Sequence, residues 1–116
     1  MIKDQLIYVA HPFGGDKANK YSIDTIMENL VMIDKNNTYL SPLHNFSMLY
    51  FDKPYSKGLK ICLDMLNRCD ALVLCGDWET SKGCIGEWSF AIAKGMPIYT
   101  WKEWTDKLKE QGDNSR

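Results

Sequence analysis

The sequence predicts an α/β fold of three layers, a parallel sheet of about four to five strands between two layers of helices, and three observations carry that prediction. Short apolar runs alternate along the chain with longer segments whose apolar residues recur every three or four positions. Turns rich in Gly, Pro or Asn separate most of these runs. The composition, 45% hydrophobic and 25% charged, is that of a folded globular chain and argues against a disordered or fibrous one. At 116 residues the chain is long enough to bury a core without metal or disulfide staples, so one domain over residues 1–116 is expected.

Leu6-Ile7-Tyr8-Val9-Ala10 is apolar and stopped by His11-Pro12-Phe13-Gly14-Gly15, which predicts a buried strand feeding a glycine-rich turn. Over residues 18–34, Ile23, Ile26, Met27, Leu30, Val31 and Ile33 form one apolar stripe, so a helix follows and ends at Asn36-Asn37. Residues 38–41 read as a second short strand, stopped by Pro42, which removes a backbone donor. Residues 42–57 are aromatic-rich but without clean periodicity, and predict a short helix in a loop that packs over or beside the site. Residues 58–69 place Leu59, Cys62, Met65, Leu66 and Cys69 on one helical face, with Arg68 near the end, where a cation suits the helix dipole. A strand over residues 71–75 leads through the turn at 76–83 into a helix over residues 84–94. That helix is expected to carry Ile85, Trp88, Ala91 and Ile92 inward and to stop at Gly95. Residues 96–101 read as a last core strand, and 105–111 as a short polar helix before a frayed tail.

Strands that alternate with amphipathic helices specify parallel pairing, because each parallel pair needs a crossover. The expected architecture is therefore flavodoxin- or Rossmann-like, with ligands binding beyond the carboxyl ends of the strands. Two segments reach that edge with site-like chemistry, the turn after Ala10 and the turn after Cys75, and both are expected to face one pocket.

Charge narrows the partners. A net charge of -1, from 14 basic and 15 acidic residues, supplies no excess for holding a phosphate backbone or an anionic bilayer, so a small molecule is expected and a nucleic-acid polymer or a membrane is not. The opening Met1-Ile2-Lys3-Asp4-Gln5 lacks a basic region followed by an apolar stretch, and no run approaches the roughly 18 apolar residues of a bilayer span, so a cytoplasmic chain is expected. Cys62, Cys69, Cys75 and Cys84 form no C-x-x-C pair and lie far in sequence from His11 and His44, which predicts reduced thiols, no metal and no cofactor.

Ser81-Lys82-Gly83-Cys84-Ile85-Gly86-Glu87 is the segment richest in chemistry. A Ser and two glycines at a helix start expose backbone N–H groups whose dipole favours an anion, so a phosphate is suited to Ser81, Gly83 and Gly86. Glu87 lies six residues after Ser81 and can point its carboxylate into the same crevice; equally, a glutamate there can be a solvated dipole residue, and the glycines can serve packing. In the turn from His11 to Lys17, Gly14 and Gly15 would let backbone approach a ligand, although the spacing is not the dinucleotide fingerprint and is also ordinary connection chemistry. His11, at the strand edge, is the better acid or base candidate of the two histidines. Asp77 and Trp78 lie in the ligand-side turn, where Trp78 is a candidate to stack on a base, while Trp88, spaced with Ile85 and Ile92, is expected to be buried.

Tyr8, the glycine-bearing turn after it, Cys69-Asp70-Ala71-Leu72-Val73-Leu74, the run from Trp78 to Glu87 and Ala91-Ile92-Ala93-Lys94-Gly95-Met96-Pro97-Ile98 together resemble the nucleoside 2-deoxyribosyltransferase-like superfamily, including its small phage and bacterial branch. The resemblance covers most of the chain up to Trp101. It implies that Glu87 is the nucleophile that attacks the anomeric carbon of a nucleoside, that Tyr8 orients it, and that Ser81 with the backbone around Gly83 holds a 5′-phosphate. It implies a homo-oligomer as well. One position departs from the pattern: catalytic relatives carry an aspartate eight residues before Asp70, and here that residue is Cys62. Asp64 is rotated from it by roughly 200° around the helix, which leaves His11, Asp16 or His44 as proton sources. Two readings follow, N-glycosidic cleavage or transfer through Glu87, and non-catalytic binding of a nucleotide signal of the ADP-ribose type; NAD hydrolysis is a third.

Overall fold

The computed structural model describes residues 3–13, 16–46 and 55–114. Four parallel strands form one sheet in the order β2-β1-β3-β4: β1 Leu6–Ala10, β2 Thr38–Leu40, β3 Ala71–Leu74 and β4 Ile98–Thr100. Helices α1 Lys17–Ile33, α2 Pro42–Phe46, α3 Tyr55–Leu66, α4 Lys82–Lys94 and α5 Trp101–Asn114 connect and flank them. This is the three-layer parallel architecture expected from the alternation of runs.

The sheet sorts side chains by the two-residue period of its strands. On β1 and β3, Tyr8, Ala10, Leu72 and Leu74 face one way and pack with Leu66, Cys84 and Ala91, so α3 and α4 cover that face. Ile7, Val9, Ala71, Val73 and Cys75 face the other way and pack with Leu30 of α1 and Trp104 of α5. Both central strands are thus buried on both faces, which is why they read as unbroken apolar runs. Tyr8 pairs with Leu40 on one side and Leu72 on the other, which places it at the middle of the sheet.

Several elements differ from expectation. On α1, Ile23 and Leu30 are buried, but Val31 and Ile33, placed on the apolar stripe, are exposed; they sit at roughly 80° on either side of the buried line, beyond what the sheet covers. The helix ends at Asp34, whose buried carboxylate accepts bonds from the Asn36 amide and the Asn37 side chain and is bonded by the Tyr39 hydroxyl. Pro42 opens α2 rather than only closing β2, as suits its fixed φ at a first helical position. The predicted loop between α2 and α3 falls largely outside the described residues.

The last helix begins at Trp101, directly after β4, and is not the short polar segment expected from residue 105. Trp104 is fully buried against Tyr39 and Tyr99, and its indole N–H donates to the Tyr39 hydroxyl at 3.0 Å. Gly95 ends α4 as expected, in the left-handed region at φ 77°. Trp104→Ala should cost about 3–5 kcal/mol, because it empties an indole-sized volume and breaks the Tyr39 bond; a denaturant midpoint close to that of the unsubstituted chain would contradict this packing.

Candidate functional site

Glu87 lies on the face of α4 turned to the sheet. It shares that stripe with Cys84 and Ala91, at three- and four-residue spacing, and is only 5% exposed. The spacing of apolar residues predicts Ile85, Trp88 and Ile92 there with Ala91, and only Ala91 is buried: Ile85, Trp88 and Ile92 are 37%, 37% and 56% exposed. The stripe is turned by one residue, roughly 100°, because a carboxylate is assigned to solvent by default and here it has a partner inside.

That partner is Tyr8. Its hydroxyl donates to Glu87 Oε2, joining the central strand to the helix after β3. The Cys62 thiol of α3 lies beside the same hydroxyl and near the carboxylate, and Cys84 adjoins Glu87 as well. Gly86 permits this arrangement: a Cβ there would stand 3.3 Å from Leu59 of α3, so the glycine lets the two helices approach and brings Cys62, one turn beyond Leu59, toward Tyr8. Its role in the structure is therefore helix packing.

Burial dominates the electrostatics. It raises the Glu87 carboxyl from 4.5 to about 7, an effect the Tyr8 hydrogen bond offsets only in part. Tyr8 is driven well above its ordinary value by burial first and then by Glu87 and Cys62. Burial with the neighbouring Glu87 lifts Cys62 to about 11 and Cys84 to about 12. Near neutral pH the carboxyl is thus poised between its two forms while the phenol and both thiols hold their protons.

The carboxyl edge brings the two expected turns together. The Cys75 amide bonds the Ala10 carbonyl at 2.9 Å, and Gly76, at φ +62°, lies so close to His11 that a Cβ would stand 2.8 Å from its Nε2. Only glycine fits there. His11 Nδ1 donates to the Pro12 carbonyl at 2.7 Å and its Nε2 meets Ser22 Oγ at 3.1 Å, so both ring nitrogens are engaged. Ser81 caps α4, accepting from the Cys84 amide at 3.2 Å, with Gly83 half-buried in the first turn. Asp77 is exposed before the short 3-10 turn Trp78–Thr80. Trp78 is half-buried on the Tyr8 side of the core, its ring 6.0 Å from that of Trp88, which departs from the expected burial by lying 37% exposed. Gly14 and Gly15 lie outside the described residues.

The other proton sources are occupied. Asp16 caps α1 by accepting from the Ala18 amide, and His44 bridges Ser41 Oγ at 2.9 Å and Asp24 at 2.6 Å. Asp64 is exposed and paired with Lys60 at 2.9 Å, turned away from Cys62 as its helical position requires. The sequence marks Cys84 only as a reduced thiol; its spacing of three residues from Glu87 is the signal that the two share a face. Among the described residues no group of His, Cys, Asp and Glu side chains has the arrangement of a metal site, and no helix is long and apolar enough to cross a membrane.

Residues 5–100 match the family described as "Domain of unknown function (DUF4406)". No curated protein matches the chain. Among solved structures the fold is shared with a conserved protein from Enterococcus faecalis V583, at a TM-score of 0.67 and 24% identity over 83% of this chain and 62% of that one. It is also shared with the 2-deoxyribosyltransferase from the psychrotolerant bacterium Bacillus psychrosaccharolyticus, at a TM-score of 0.63 and 19% identity over 82% of this chain and 70% of that one. The chain thus spans less than two thirds of the Enterococcus faecalis protein. At these identities the likeness is one of fold, the three-layer parallel α/β architecture described above.

The raised carboxyl has a consequence for stability. The folded value, about 7, lies above the ordinary 4.5, so this contribution is fully present below pH 4.5 and is lost as pH rises through about 7. Glu87→Gln stays neutral throughout, and should therefore gain on the order of 3 kcal/mol on the unsubstituted chain between about pH 4 and about pH 9. Unfolding midpoints that differ by the same amount at both ends of that range would rule out a buried, titrating Glu87.

Proposed function

We propose that this chain, which belongs to the family described as "Domain of unknown function (DUF4406)", holds a nucleoside or nucleoside 5′-monophosphate against Glu87 and cleaves or transfers its N-glycosidic bond with that carboxylate as nucleophile. The observation that carries the reading is the hydrogen bond from Tyr8 to the buried Glu87. A carboxylate held in one orientation beside an anomeric carbon stabilises an oxocarbenium-like transition state and can form a glycosyl-enzyme intermediate. Tyr8 engages Oε2, which leaves Oε1 to attack C1′. Water then completes hydrolysis, and a second base completes transfer.

Two further features fit this reading. A 5′-phosphate would meet the start of α4, where Ser81 already uses its oxygen to cap Cys84 and the amides of Lys82 and Gly83 point outward with the positive end of the dipole. Trp78 and Trp88 offer an aromatic surface for a base.

A second reading, binding without cleavage of a nucleotide signal such as an ADP-ribose derivative, is favoured by one observation. The position beside Tyr8 and Glu87 where a carboxylic acid would assist the departing base is the thiol of Cys62.

Mass spectrometry on the protein incubated with nucleosides, nucleoside monophosphates, NAD and ADP-ribose derivatives separates the two. Free base should appear, fall by about a thousandfold or more with Glu87→Gln, and form faster as pH rises through about 7, where the nucleophile becomes ionised. If every compound stays intact while one remains bound to the protein, the binding reading replaces the enzymatic one.

A further inference from the structure

Glu87 is surrounded by groups that keep their protons. The Tyr8 hydroxyl bonds it, Cys62 lies beside Tyr8, and Cys84, one helical turn before Glu87, adjoins both Glu87 and Cys62. Phenols and thiols are weak acids, with reference values near 10 and about 8.5, and burial weakens these further. The two imidazoles are engaged elsewhere, His11 with Pro12 and Ser22, His44 with Ser41 and Asp24. Among the described residues, those set against Glu87 supply hydrogen bonds but no ready proton for a departing base.

That matters because the C1′–N bond of an ordinary nucleoside breaks to leave an anionic base unless an acid protonates it, and such assistance contributes typically about 10²–10⁴-fold. A base that already carries a positive charge leaves as a neutral molecule and needs no acid. A buried carboxylate also attracts a cation strongly, since opposite charges at close range offset part of the desolvation that each suffers. The aromatic pair Trp78 and Trp88, with Trp78 packed on the same side of the core as Tyr8 and Cys84, consists of rings of the type whose faces hold cations.

Resting on the glycosidic reading above, we propose that the substrates of this site are N-glycosides of cationic bases, N-ribosylated pyridiniums and N7-alkylated purines, in preference to neutral nucleosides. In the first step Glu87 Oε1 forms a bond to C1′ as the C1′–N bond breaks. The electron pair of that bond passes to the ring nitrogen and cancels its charge, so the base departs neutral with no proton transfer. Water then attacks C1′, the bond to Oε1 breaks with its electron pair returning to the carboxylate, and the proton of the water passes to solvent.

Two matched pairs test this. The protein is incubated with nicotinamide riboside and its neutral dihydropyridine counterpart, and with 7-methylinosine and inosine, each also as the 5′-monophosphate. Released base is measured by chromatography against a protein-free blank, with Glu87→Gln as control. The cationic member of each pair should be cleaved about 100-fold faster or more than its neutral partner, with the difference lost in Glu87→Gln. Neutral members cleaved as fast as the cationic ones would overturn this proposal and leave the glycosidic reading standing. Cleavage of no member, by protein whose folded state is verified by circular dichroism, would overturn this proposal, and the glycosidic reading falls with it if the wider panel above also stays intact.

Discussion

Glu87 sits on the sheet-facing side of α4 and receives a hydrogen bond from Tyr8 on the central strand, and much of the arrangement around it depends on that contact. An unpartnered carboxylate in this position would cost several kcal/mol; with the hydroxyl and the option of protonation it is tolerated, at a raised pKa. The contact determines which face of α4 turns inward, and so which residues are left outside. Ile85, Trp88 and Ile92 are exposed because Cys84, Glu87 and Ala91 occupy the inner stripe.

The same contact explains the glycines and thiols nearby. α3 must come close to α4 for Cys62 to reach Tyr8, and Gly86 leaves the space for Leu59 to do so. At the carboxyl edge a second close approach, His11 against Gly76, locks the turns after β1 and β3 to each other. The ring of His11 thereby fills part of the junction between the two central strands, where ligands of parallel sheets usually bind. The α3 and α4 side of the sheet is the side on which Glu87, Tyr8, Cys62 and Cys84 gather.

Residues with an obvious chemical reading turn out to serve structure as well. Ser81 caps a helix, Asp16 caps another, and Gly86 is a packing residue, the alternative that the sequence left open for the glycines. Tyr8 and Glu87 were paired through resemblance to a family and stand in direct contact, 79 residues apart in the chain. On the opposite face, Trp104 and Tyr39 make a comparable cross-chain bond that no local pattern announced, since α5 carries many charged residues and reads as a polar helix.

The sequence by itself determined the order of strands and helices, the parallel sheet, the first strand and the stop at Gly95. These follow from period, apolar runs and the φ preferences of Gly and Pro, all of which act between residues close in the chain. It could not determine which side of α4 faces inward, the burial of Trp104, or the approach of Cys62 and Cys84 to the Tyr8–Glu87 pair. Those depend on partners tens of residues away: a carboxylate goes inside only when a hydroxyl from another element is there to receive it, and an indole only when another face is open to cover it. Tertiary contact supplied both.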